Sequence, residues 1–208
     1  QMMRTVRQST VFLLLLVAAC GPQADTSDDP APAEHDEAMH HHGLTATDGE
    51  GFTAADVHFM QMMIGHHAQA LTMAEMVPER TENQQLLNLA QKIEISQHDE
   101  IALMQRWLRE RNQEVPNEHQ LHQMEMPGLV SQENLVRLEA SQGVEFERLF
   151  LNLMIEHHLG AVQMVEELFA SPGAAQDSDI FAFANDVSAD QLDEIGAMES
   201  MLESLGGS

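Results

Sequence analysis

Apolar residues recur at intervals of three and four along four long stretches of this chain, the spacing of helices buried along one side. The first stretch runs from about Thr53 to Val77, with Thr53 and Asp56 as a cap pair and Pro78 as its stop. The second runs from about Thr81 to Arg111, and Thr81 and Gln84 have capping-box spacing. Residues 112–130 contain Pro116, Pro127 and Gly128 and read as an irregular crossover. Ser131 opens a short helix, and Gly143 marks a break before the third long helix, about Val144 to Ala170. Pro172-Gly173 ends that helix. Asp177 or Ser178 starts the fourth, which reaches about Leu205 before Gly206-Gly207.

The helices repeat. FMQMMIGHHAQALTM runs from Phe59 to Met73, and FLNLMIEHHLGAVQM from Phe150 to Met164. Met63, His66, Ala70 and Met73 step by three, four and three, so they share one helix face. Met154, His157, Ala161 and Met164 repeat that stripe at a shift of 91 residues. In the helices that follow, Gln97, Glu100, Ile101 and Met104 match Gln191, Glu194, Ile195 and Met198 at a shift of 94. Each half therefore predicts an αα-hairpin, spanning 52–111 in the first half and 131–208 in the second, joined by the crossover at 112–130. The expected architecture is all-α: a four-helix bundle over 52–208 with an approximate two-fold axis that could set the two His-His stripes face to face.

Composition narrows the partners. The chain has 34 acidic and 9 basic residues, a net charge of −25, and Lys92 is its single lysine. Such a surface repels nucleic acid and anionic lipid headgroups and attracts cations, so nucleic acid is not an expected partner. Tyrosine is absent and methionine numbers 15, so the core must rest on aliphatic residues, Met and Phe. Methionine fills cores without binding anything, so its abundance points to a metal only where it shares a face with histidine.

The first residues read as a targeting segment. Arg4 and Arg7 precede an apolar run from Val11 to Ala19 that is too short for a membrane span. Val17-Ala18-Ala19-Cys20-Gly21 resembles the lipobox of bacterial lipoproteins. That resemblance implies removal of residues 1–19 and lipid attachment to Cys20; an ordinary signal peptide cut near Ala19 is the alternative. In a Gram-negative cell, Gly21 after the cysteine favours an outer-membrane anchor facing the periplasm. Cys20 is the single cysteine, so no internal disulfide is available. Residues 20–51, rich in Asp, Glu, Pro, Ala and Gly, read as a disordered tether. His35, Met39 and His40 to His42 within it could hold metal loosely or simply be solvated.

Four imidazoles on apolar faces need partners, since each unpartnered buried polar group costs ~1–3 kcal/mol. Metal ligation of His66, His67, His157 and His158 is one answer. Hydrogen bonds to Glu100, Glu194, Gln97, Gln191 or water are the other. Adjacent helical residues diverge by ~100°, so one histidine of each pair joins the methionine face and the other reaches a neighbouring helix or the solvent edge. Met63, Met73, Met154 and Met164 would add thioether donors or merely pack. His58, Met62 and His66 form a second row in the first repeat alone, and His119, His122, Met124 and Met126 of the crossover are further candidates. Thioethers select Cu(I) over zinc, iron and manganese, and imidazole accepts either copper oxidation state. Zinc would draw more on cysteine or carboxylate. A di-iron site needs Glu-x-x-His, which the long helices lack.

The doubled Met-Ile-x-His-His-x-x-Ala-x-x-Met motif, each copy followed by Gln-x-x-Glu-Ile-x-x-Met, resembles the bacterial domain-of-unknown-function 305 family. Met126-Pro127-Gly128 is similar to the family's Met-Pro-Gly between the halves, although Leu129 replaces a frequent Met. The likeness covers about residues 52–205. It implies a ferritin-like helical bundle, often exported, with some members associated with copper binding and resistance. The resulting expectation is a lipid-anchored envelope protein that sequesters copper or hands it to a partner, without catalysis, and that is compatible with a homo-oligomer. Two rival readings stay open. One is a metal-dependent oxidase or hydrolase using Glu156; the other is a structural or partner-binding bundle.

Overall fold

A computed structural model describes residues 44–121 and 125–206. The leader at 1–19, Cys20 and the histidines of the tether lie outside the described residues, as do His122 and Met124. The described chain is all-α: α1 (Ala54–Ala74), α2 (Val77–Arg80), α3 (Gln84–Glu110), α4 (Glu118–Leu121), α5 (Gln132–Ala140), α6 (Gly143–Ala170) and α7 (Ser178–Gly206).

Local chemistry starts most helices where the pattern places them. Thr53 and Asp56 form a reciprocal capping box on α1, and the Ser131 hydroxyl accepts from Asn134 N–H on α5. At Gly143 φ is +58°, the left-handed value that a break before α6 requires. Two boundaries differ from the sequence expectation. Pro78 does not stop α1; it sits in the first turn of α2, where proline's missing N–H goes unused. Asn83, not Thr81, caps α3: the Thr81 hydroxyl accepts from Asn83 N–H (2.9 Å) and donates to Glu147, while the Asn83 side chain accepts from Gln85 N–H.

Two apolar clusters fill the bundle, and they reveal its direction of winding. One gathers the N-terminal part of α1, the C-terminal parts of α3 and α6, and the N-terminal part of α7. The other holds the opposite ends of the same four helices. Thus α1 and α7 run one way, α3 and α6 the other. The crossover must then travel the length of the bundle, which is the ferritin-like arrangement.

The two-fold relation reaches into the turns. Asp56 and Glu147 are repeat equivalents, and both are buried carboxylates near the starts of α1 and α6. Asp56 Oδ1 accepts from the Ala175 N–H (2.7 Å) in the α6–α7 turn. Glu147 accepts from the Thr81 hydroxyl and from Asn83 Nδ2–H (3.1 Å) before α3. Each hairpin therefore inserts a carboxylate into the turn of the other. Such charge-assisted bonds are the stronger kind, and they lock the hairpins in register.

The crossover breaks the symmetry, because there is one of it and two equivalent grooves. Gln69 on α1 holds Val130 by two bonds, donating to its carbonyl (2.9 Å) and accepting from its N–H (2.7 Å). Its repeat equivalent on α6 is Gly160, where a Cβ would lie 2.2 Å from the Pro127 carbonyl oxygen and 2.6 Å from Gly128 Cα. A side chain at Gly160 would push Pro127-Gly128 off the helix. Residues 44–51, assigned by composition to the end of the tether, are also held against the bundle: Leu44 is buried, and Gln61 Nε2–H donates to the carbonyls of Thr45 (3.0 Å) and Glu114 (2.9 Å).

Candidate metal centre

On α1 the order along the buried face is Met63, His66 and His67, then Ala70; on α6 it is Met154, His157 and His158, then Ala161. Because these helices are antiparallel, the histidines of both arrive at one level, between the two apolar clusters. All four are buried, at 0–1 % exposure. The His66 and His157 rings overlap with centroids 3.8 Å apart and planes tilted by 39°. The other member of each pair turns aside by the helical step, as the ~100° divergence requires.

His67 and His158 reach the second helix of their own hairpins. His67 Nε2 lies 2.6 Å from Glu100 Oε2, and His158 Nε2 lies 2.8 Å from Glu194 Oε2. His66 Nε2 lies 3.1 Å from the carbonyl oxygen of Pro127. A carbonyl or carboxylate only accepts, so in these three rings Nε2 carries a proton, and in the neutral form of each ring Nδ1 keeps an in-plane lone pair. None of the three Nδ1 atoms has a protein partner, and His157 has none at either nitrogen. A histidine oriented by a carboxylate or carbonyl through one nitrogen, with the other free, is arranged as metal-ligating histidines are.

Electrostatics hold His66, His157 and His158 neutral. Burial, and next the neighbouring His67, push His66 down to about 3 against the upward pull of the Pro127 carbonyl. Burial, followed by the adjacent His66, lowers His157 well below the ordinary imidazole value. His158 is lowered by burial, partly offset by Glu194. Neutral imidazole is the form that binds metal, so no proton has to leave these rings first.

The sulfur donors are divided. Met63 and Met164 lie in one cluster with Met104; Met73 and Met154 lie in the other with Met198. The antiparallel register sends the two methionines of each stripe to opposite sides of the histidine layer, so they do not ring a single point. Met104 and Met198, absent from the expected donor set, are fully buried beside it; their signal was the Met that closes each Gln-x-x-Glu-Ile-x-x-Met motif. Both Gln97 amide ends and Gln191 Oε1 are also buried without partners. Among the described residues no three His, Cys, Asp or Glu side chains form a ready-made cage. Glu156 is exposed, and so is His119 on α4. Met62 and His58, one and two turns before His66 on α1, line a groove beside Met126.

The profile described as "Domain of unknown function (DUF305)" matches residues 56–204. The chain belongs to the DUF305 family. Among solved structures, a DUF305 fragment from Deinococcus radiodurans is 30 % identical, with 74 % of this chain and 98 % of that one aligned at a TM-score of 0.63. A DUF305 protein from Streptomyces coelicolor, described as secreted, is 27 % identical over 73 % of this chain and 94 % of its own, with a TM-score of 0.66. CopM in its Cu(I)-bound form is 28 % identical over 73 % of this chain and 98 % of its own, with a TM-score of 0.59, and CopM is also solved with Cu(II) and with silver. A comparison with curated proteins finds none that matches the chain.

Proposed function

We propose that this DUF305 protein binds copper, chiefly as Cu(I), in the histidine layer, and sequesters it or passes it on. One observation carries the reading. Four buried imidazoles present unpartnered Nδ1 atoms between two pockets of thioether sulfur. His66, His67, His157 and His158 supply nitrogen. Met63 and Met154 stand one turn away on the same stripes, and Met73, Met104, Met164 and Met198 extend the soft surroundings. Glu100, Glu194 and Pro127 orient the rings. Small rotations of these side chains about the His66–His157 contact would complete a two- or three-coordinate site, the low coordination that suits a soft monovalent ion. That CopM binds copper and silver supports the choice of metal.

The test is a Cu(I) titration against a chromogenic chelator. A His66→Ala/His157→Ala variant should bind Cu(I) at least ~100-fold more weakly, about 2.7 kcal/mol, while its far-ultraviolet circular dichroism stays helical. Unchanged affinity in that variant would refute the site.

We further propose that the protein works in the cell envelope, with Cys20 as its lipid-bearing anchor and the acidic segment as its tether. The lipobox-like Val17 to Gly21 and the secreted Streptomyces relative support this. Cys20→Ala should move the protein from the membrane fraction to the soluble periplasmic fraction. Retention in the membrane fraction would exclude the anchor.

A further inference from the structure

Outside the histidine layer the described residues hold a second concentration of soft donors. A groove of about 350 Å³ opens between the N-terminal half of α1, the C-terminal half of α6 and the crossover at Glu125 to Pro127. His58, Met62, Met126 and Met164 line it, together with the carboxylates of Glu125 and Glu167. Met62 and Met164 are nearly buried, whereas His58 and Met126 are half-buried. Imidazole and thioether donors from three separate segments thus border one space open to solvent.

Met62 and Met164 belong to the apolar core and Met126 packs against it, but His58 and Met62 are not the residues the other repeat uses for packing. The repeat equivalents of His58 and Met62 are Leu149 and Leu153 on α6, and both leucines take part in the opposite apolar cluster. Where the fold needs apolar bulk, the twin uses leucine. Met126 has no twin at all, because it belongs to the crossover, which passes one side of the bundle. Met164 keeps a methionine twin in Met73, so the departure from symmetry lies in His58, Met62 and Met126.

The groove adjoins the buried layer through two shared walls. Pro127 borders the groove, and its carbonyl oxygen accepts the His66 Nε2 proton at 3.1 Å. Met62 and Met164 belong to the same apolar cluster as Met63, which lies one turn from His66.

We infer that this groove is a second site for a soft monovalent cation, with His58 nitrogen and the Met62, Met126 and Met164 sulfurs as donors, through which copper passes to the interior. Thioether donors select a soft cation over the hard divalent ions that Glu125 and Glu167 would otherwise attract. As donors, His58, Met62 and Met126 belong to this site alone, and Met164 is shared with the surroundings of the histidine layer. The groove's role as the point of uptake rests on the copper reading above.

The experiment uses the full chain labelled with methyl-¹³C methionine, titrated with Ag(I) in chloride-free buffer as a redox-inert probe. In the His66→Ala/His157→Ala background, the Met62, Met126 and Met164 methyl resonances should shift together and saturate at one equivalent. His58→Leu/Met62→Leu, which installs the twin's residues, should weaken that binding at least ten-fold and leave the circular dichroism unchanged. The same pair of substitutions in the otherwise native chain should slow Ag(I)-induced shifts of the buried Met63 and Met154, and this arm does not depend on the double-alanine variant folding. Absence of shifts at Met62, Met126 and Met164 would overturn the site. Loading of Met63 and Met154 at the native rate would overturn its role in uptake. Shifts at the groove with none at Met63 or Met154 would sustain the second site and count against the interior one.

Discussion

His157→Leu should melt at a higher temperature than the native metal-free protein and should bind copper poorly. His157 is fully buried, and neither ring nitrogen has a protein hydrogen-bond partner. A buried polar group without a partner costs ~1–3 kcal/mol, and leucine of similar volume removes that penalty while still filling the space. A gain of ~2 kcal/mol corresponds to a rise of roughly 4–8 °C in Tm for a domain of this size. The same substitution removes a nitrogen donor, so saturating Cu(I), which stabilises a native state by ~4 kcal/mol at a thousand times its Kd, should no longer raise the Tm. Differential scanning calorimetry with and without Cu(I) measures both effects. A lower Tm for the metal-free variant would show that His157 is internally satisfied, and the case for a ligand-binding layer would weaken with it.

Mild acid should unfold the metal-free bundle. His66 is held at about 3, and His157 and His158 are also lowered, each chiefly by burial. In the unfolded chain these imidazoles titrate near 6.5. Above that value both states are neutral and stability is full. Below it the unfolded chain takes up protons that the native layer refuses, so stability falls as pH falls toward the lowered native values. Each neutral imidazole contributes a slope of ~1.4 kcal/mol per pH unit, so His66 and His157 together give ~3 and His158 adds to it. Against an ordinary ~5–15 kcal/mol, the native state should be lost between about pH 3 and 5. The interval from 6.5 to 5 is the most informative, because the excess carboxylates have not yet begun to neutralise the −25 charge. Urea denaturation across that interval should show the full slope in the native chain and ~1.4 kcal/mol per unit less in His157→Leu. A flat profile would mean that the buried rings are protonated in the native state.

These expectations could not have been drawn from the helical pattern, although the residues they concern could. The stripes at Met63, His66, Ala70 and Met73 and at Met154, His157, Ala161 and Met164 were legible because helical periodicity is a local property, and all eight residues are buried. The duplicated Gln-x-x-Glu motif likewise marked Glu100 and Glu194, but not which histidine each would hold. That depends on how α1 packs on α3 and α6 on α7. The Thr81 capping box likewise did not form: its hydroxyl is held between Glu147, 66 residues away, and the Asn83 N–H.

The single-sided groove was the least legible element. His58 and Met62 stood out as a row without a counterpart, yet Met126 and Met164 join them through the path of the crossover. Gln69 and Gly160 fix that path, and their roles appear once α1 and α6 lie side by side.

The amino-acid order alone determined four long helices, their pairing into two related hairpins and one histidine of each doublet on the methionine face, since spacing, caps and repetition act within a turn or between copies. Tertiary structure alone decided that His66 meets His157, that the methionines separate into two clusters, and that Pro127 takes one ring proton. Those outcomes follow from the antiparallel register of α1 against α6, which is set by the summed packing of side chains distant in the chain.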